Sequence, residues 1–210
     1  MAAKQLTEAG MKVAVLEAGP RITEADFTEH VQPYQLKYRG KSPEVIRNRP
    51  IQGLCYACRE SNYKWFVDDI ENPYTTPENK PFHWIRMRIL GGRSLSWGRQ
   101  SYRMGDIDFK CADRDGYGAN WPISYKDLVP YYEMVENFIG ISGQPEGLAQ
   151  LPDSILLPPM GMTCAEKVFR DQVKQKMGRV VTMGRTAILT VPHNGRAACH
   201  YCGPCEQGCI

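Results

Sequence analysis

No run of apolar residues in this sequence approaches the roughly 20 needed to cross a bilayer. The opening stretch MAAKQLTEAG also lacks the apolar core of a secretory signal. A soluble chain without a membrane span is therefore the expectation. There is no dense basic tract either: the net charge of +3 is mild and evenly spread, which argues against nucleic-acid or anionic-membrane partners. Histidine is scarce, with 4 in 210 residues, and neither an internal repeat nor a low-complexity stretch occurs. What remains is an ordinary globular composition, 42% hydrophobic and 23% charged, long enough for one large domain or one and a half.

Cysteine is the residue present in excess, with 8 in the chain. Cys111 and Cys164 stand apart, whereas Cys55 and Cys58 form one C-x2-C pair. No second pair lies at zinc-ribbon distance from it, so a local disulfide or two thiols is the expected use. Cys199, Cys202, Cys205 and Cys209 follow the spacing C-x2-C-x2-C-x3-C, which is that of bacterial ferredoxins. Those motifs continue into proline, however, and here Ile210 follows Cys209 while Gly203-Pro204 signals a turn. Spacing alone leaves both a cluster and structural thiols or disulfides open.

The N-terminal residues read as a helix ended by Gly10 in a left-handed C-cap. The apolar run Val13-Ala14-Val15-Leu16, closed by Glu17, then reads as a parallel strand covered on both faces. Helix, glycine turn, buried strand and terminal acid make the second half of a βαβ dinucleotide-binding unit. In such a unit a first strand leads into G-x-G-x-x-G, whose amides approach a pyrophosphate, and an acid about 20 residues later takes the ribose hydroxyls. Glu17 is that acid by position. The first strand and glycine loop are missing, so the chain is expected to enter the unit inside its crossover helix.

From Arg21 to about Lys80 the chain is broken by Pro33, Pro43, Pro50, Pro73, Pro77 and, just beyond, Pro81 into long irregular connections. Trp84, Arg86, Arg88 and Leu90 then suggest an extended approach to Gly91-Gly92, where a backbone passes close to something large. Ser124 with Asp127 reads as the start of a helix ended by Gly140, with Pro130 opening a new helical segment. Leu128, Tyr131, Tyr132, Val135 and Ile139 would form its apolar stripe. Thr163 and Glu166 form a capping box for a further helix through Met177, ended by Gly178. The stretch RVVTMGRTAILTV is β-rich.

The segments ILGGRSLSWGR and NWPISYKDLVPYYEMVENFIGISG resemble the N-terminal region of the glucose–methanol–choline (GMC) oxidoreductases, flavoenzymes that oxidise alcohols and sugars. VAVLEAGP is similar to that family's second strand. The resemblance implies an α/β fold: a partial Rossmann-like FAD-binding domain, expected over 1–115, and the start of a substrate domain over 116–210. It implies FAD as cofactor, with Glu17 on the adenosine ribose. Gly91, Gly92, Arg93, Ser94, Trp97 and Gly98 would lie toward the diphosphate and isoalloxazine. Arg93 and Trp97 depart from the commoner serine and asparagine, and look like the sugar-dehydrogenase branch.

Some sugar dehydrogenases of this superfamily hold an iron–sulfur cluster on cysteines of the terminal region and pass electrons to a cytochrome. Here structural thiols or disulfides are the expected use of the quartet, and the alternative is an iron–sulfur cluster or other metal at Cys199, Cys202, Cys205 and Cys209, which would make the chain an electron-transfer module. The implied partners are a small alcohol or sugar and an electron-accepting cytochrome or small subunit. The family's catalytic base, usually histidine, sits in its C-terminal part. None of His30, His83, His193 and His200 matches it, so no catalytic residue is assigned and a fragment inactive by itself is expected.

Overall fold

The computed structural model describes residues 1–27 and 33–202. They divide into two compact units, the first containing Met1–Gly98 and the second Arg99–His200. Among the described residues regular structure is mainly helical, and β-pairing is confined to isolated bridges.

The first unit opens with α1 (Ala2–Glu8), whose end is closed by Gly10 N–H on Thr7 O and Met11 N–H on Leu6 O. Gly10 has φ +79°, the left-handed conformation the sequence leads one to expect. The expected strand at 13–16 does not form. It has no β partner among the described residues, and Leu16 is 97% exposed. A strand covered on both faces exists only through its neighbours, and residues 13–16 have none here.

The proline-rich stretch expected to be connection supplies the core of this unit. Short helical turns, including α2 (Pro43–Asn48), bring Val45, Ala57, Cys58 and Phe66 into one buried cluster. Residues 65–67 then pair antiparallel with 86–88: Val67 N–H donates to Arg86 O (3.1 Å), and Arg88 N–H to Trp65 O (2.9 Å). The alternation expected in 84–90 is present, with Ile85 and Met87 packed on the cluster and Ile89 buried.

The second unit holds α3 (Asp106–Phe109), α4 (Cys111–Asp115), α5 (Tyr125–Ile139) and α6 (Cys164–Met177). Both long helices begin and end where their caps are written. The carboxylate of Asp127 accepts from Ser124 N–H and Oγ, and that of Glu166 accepts from Thr163 N–H and Oγ1. Gly140 and Gly178 close them at φ +82° and +62°. Pro130 opens no new segment. It lies inside α5, in its second turn, where its missing N–H removes one intrahelical donor.

A narrow ribbon accompanies these helices, in the order Gln100, Thr186, Ser142, Leu157, antiparallel at the first two steps and parallel at the third. The β-rich stretch after α6 thus contributes a single residue of pairing, Thr186. In place of the expected α/β arrangement the described residues form a mainly helical fold with few β-bridges, and no partial Rossmann sheet occurs among them. None of the described helices is long and apolar enough to cross a membrane.

Candidate functional site

Glycine chemistry brings the two expected cofactor segments together in the first unit. Gly19 lies so close to the backbone of Arg88 and Ile89 that a Cβ there would fall 2.3 Å from Arg88 C and O and Ile89 N. Across this contact Leu90 N–H donates to Pro20 O (2.8 Å) and Arg88 Nε to Ala18 O (3.3 Å). The loop carrying Glu17 is thereby fixed one residue before Gly91. Glu17 itself is exposed, and its Oε1 accepts the N–H groups of Ala18 (2.8 Å) and Gly19 (2.9 Å).

Beyond this contact Gly91 (φ +92°) and Gly92 (φ +54°) turn the chain into a 3-10 turn over Gly92–Leu95. Only glycine holds two such angles in succession without steric cost. Ser94 Oγ folds back to donate to Gly91 O (2.7 Å), and Ser96 Oγ donates to Met87 Sδ (2.8 Å). Arg93 reaches Ile85 O through Nη1 (3.3 Å), and its side chain faces solvent. Trp97 is partly exposed, and no atom lies within 4 Å of where a Cβ would sit on Gly92 or Gly98. The expected residues therefore gather as one open, solvent-facing platform rather than an enclosed pocket.

The platform is held from behind by a buried amide that sequence reading missed. Gln52, fully buried, donates through Nε2 to Asp69 Oδ1 (2.8 Å) and Trp84 O (2.9 Å), and its Oε1 accepts from Arg86 N–H (2.8 Å). Asp69 Oδ2 in turn accepts the N–H groups of Ile51 and Gln52 (both 2.9 Å). These bonds set the path of residues 84–86 on their way to Gly91. The guanidinium of Arg86, stacked on Trp84 (4.6 Å) and Tyr74 (5.5 Å), fixes that path from the outside. Partners separated by 17 to 34 positions leave no local signal; the nearest clue is a glutamine in an otherwise loop-like run.

Among the described residues the histidines take no part. His193 Nε2 lies 2.5 Å from Asn137 O, near the C-terminal end of α5, beside Asn194 and Arg196, which donate to the carbonyls of Asn137 and Phe138. It is a helix-end residue. His83 and His200 are exposed, and His30 lies outside the described residues. Of the terminal quartet, Cys199 is half-buried, with its N–H on Leu189 O (2.7 Å), and Cys202 is exposed; Cys205 and Cys209 lie outside the described residues. Among the described residues no three His, Cys, Asp or Glu side chains gather into a metal site.

The chain is similar to GMC-type oxidoreductases, at low identity but over most of its length. In particular it is similar to the fructose dehydrogenase large subunit of Gluconobacter japonicus, 26% identical over 205 residues, which is 96% of this chain and 36% of that protein. It is similar to the 2-methyl-1,2-propanediol dehydrogenase of Mycolicibacterium austroafricanum, 26% identical over 200 residues, 92% of this chain and 32% of the relative. The 6'''-hydroxyparomomycin C oxidase of Streptomyces lividus is 32% identical over 114 residues, 52% of this chain and 21% of the relative. The chain thus spans about a third of the length of the curated relatives it matches over most of its own residues. No family model matches it.

Proposed function

We propose that this chain is part of an FAD-dependent oxidoreductase that acts on the CH–OH group of an alcohol or sugar. The observation that carries the proposal is the seating of the Glu17 loop on residues 88–90, one residue before Gly91. Relatives named as dehydrogenases and oxidases of a sugar, a diol and an aminoglycoside support the reaction class.

The donor set of the platform suits a dinucleotide. Glu17 Oε2 has no partner among the described residues and can accept from ribose hydroxyls. Arg93 offers a guanidinium for phosphate charge, Gly91, Gly92 and Gly98 leave space for close approach, and Trp97 offers an aromatic face. Ser94 serves mainly to hold the turn, because its hydroxyl is spent on Gly91 O. A bound FAD would supply the hydride acceptor at its N5. This chain's residues would bind and orient it, and none of them is assigned as the base. The pyrophosphate cradle is not among these 210 residues, which contain no G-x-G-x-x-G. The relative named as a large subunit supports an assembly with a further subunit, which we take to be the electron acceptor.

The test is flavin retention. The 210-residue chain and the same chain in its genomic reading frame, extended in both directions as far as the frame allows, are purified and their visible spectra compared. Flavin absorbance is expected in the extended chain, with bleaching by an alcohol or sugar. An extended chain without flavin overturns the proposal, and stoichiometric FAD on the 210 residues overturns the need for a separate pyrophosphate cradle.

A further inference from the structure

The pair Cys55 and Cys58 has no place in the proposed chemistry, yet its geometry is specific. Cys58 N–H donates to Cys55 O at 3.1 Å, so the two residues are the first and last of a hydrogen-bonded turn. Such a turn holds the outer Cα atoms within about 7 Å, which overlaps the window of about 4.4–6.8 Å that a disulfide spans. Direction agrees with distance. Cys58 is a member of the buried cluster with Val45, Ala57 and Phe66, and Cys55 packs against the same cluster. Both side chains therefore lean to one side of the turn.

Their surroundings differ in a way that assigns an order of events. Cys58 is fully buried, whereas Cys55 is half-buried and sits beside the exposed Tyr56 at the tip of the turn. A dissolved oxidant can reach only the first sulfur. We infer that Cys55 and Cys58 are a dithiol that closes to a disulfide across this turn when the chain meets a low-molecular-weight disulfide, with Cys55 as the entry sulfur and Cys58 as the closing one.

The step balances as two exchanges. The Cys55 thiolate attacks one sulfur of the small disulfide, forms a mixed disulfide and expels one small thiolate. Cys58 then gives up its proton and attacks the Cys55 sulfur, expelling the second small thiolate; the protein loses two hydrogens and the small disulfide becomes two thiols. Burial, with the neighbouring Cys55 adding to it, pushes the Cys58 thiol up to about 12. Cys58 is therefore inert toward oxidants in solution, and closure depends on its being held next to Cys55. The same burial makes the closed bond slow to open, since attack on the accessible Cys55 sulfur must expel a high-pKa, buried thiolate. Closure would staple the turn to the core on which Ile85 and Met87 rest.

The folded chain is incubated with oxidised glutathione, quenched with acid, alkylated under denaturing conditions and digested with trypsin. Cleavage after Arg47 and Arg59 isolates both cysteines in one peptide, because Arg49 is followed by Pro50. The expected peptide is lighter by two hydrogens and carries neither alkyl group nor glutathione. Cys58→Ala should leave Cys55 with a lasting glutathione adduct, and Cys55→Ser should leave Cys58 free to be alkylated after denaturation. The folded wild-type chain overturns the inference if it yields a doubly alkylated peptide, or a lasting glutathione adduct on Cys55. Because that readout uses the unaltered protein, a folding defect in the core variant does not decide the matter.

Discussion

Arg103 and Glu136 meet inside the second unit as a two-pronged ion pair, Nε to Oε1 at 2.9 Å and Nη2 to Oε2 at 2.5 Å, with the two residues 4% and 6% exposed. Nη1 also donates to Tyr125 Oη (2.8 Å), and the ring of Tyr132 lies 5.4 Å from the guanidinium. The hydrogen bond to Glu136 raises the already high pKa of Arg103 further, against the opposing effect of burial. The face of α5 that reads as apolar in sequence therefore carries a buried acid.

Breaking that pair from one side should be far worse than removing it. Arg103→Met leaves the Glu136 carboxylate buried without its partner, at a cost of about 3–5 kcal/mol, whereas replacing both residues by apolar ones is often close to neutral. Urea unfolding of R103M and of the R103M/E136L double variant checks this. The double variant should recover much of the loss, and equal midpoints for the two would show that the charges are not coupled.

What the sequence made legible were the features written within a few residues. The pairs Ser124/Asp127 and Thr163/Glu166 and the glycines at 10, 140 and 178 specify helix ends through local hydrogen bonds and single dihedral angles. The strand at 13–16 was misread for the complementary reason: its apolar run carries no information on whether a neighbouring strand stands beside it. The candidate site falls between these cases. Glu17, Gly91 and Gly92 could be named from motif, but the contact that joins their loops runs through Gly19 and the backbone of Arg88 and Ile89, about 70 positions apart. Gln52 and Asp69, which hold residues 84–86, obey no period at all.

Gln52→Leu should expose how much that buried hub matters. It removes the partners of Trp84 O, Arg86 N–H and Asp69 Oδ1 together, and each buried orphan costs about 1–3 kcal/mol. Amide hydrogen exchange at Arg86 is the local readout. Its protection should drop well before that of α5 and α6, and unchanged protection would mean that the path of 84–86 is set by the Arg86–Trp84 stack instead.

Gly19→Ala places a methyl group 2.3 Å from backbone atoms that cannot rotate away. Overpacking of this kind typically costs about 1–3 kcal/mol, and here it must also separate Pro20 O from Leu90 N–H. Gly98→Ala is the matched comparison, with open space at its Cβ position and no positive φ, so its effect should stay within about 0.5 kcal/mol. Thermal melts of both variants, with exchange at the Leu90 amide, distinguish the two. Equal melting temperatures would remove Gly19 from the account of how the platform is assembled.

Acid should loosen the two long helices at their first turns. The hydroxyl and then the N–H of Ser124 lower the pKa of Asp127, and the N–H and then the hydroxyl of Thr163 lower that of Glu166. In the unfolded chain these carboxyls titrate near about 3.9 and 4.3. A pKa depressed by folding contributes stability that is complete above the unfolded value and lost as pH falls through the folded one. Helical circular dichroism should therefore hold from neutral pH to about 5 and decline below about 4. Carbon NMR titration of the two carboxyls should give midpoints below those unfolded values. Asp127→Asn with Glu166→Gln keeps an acceptor at each cap and removes the charge, so the acid limb should flatten. An acid limb identical to that of the unaltered chain would place its cause at the other depressed carboxyls, Asp26, Asp68 and Asp115, rather than at the helix caps.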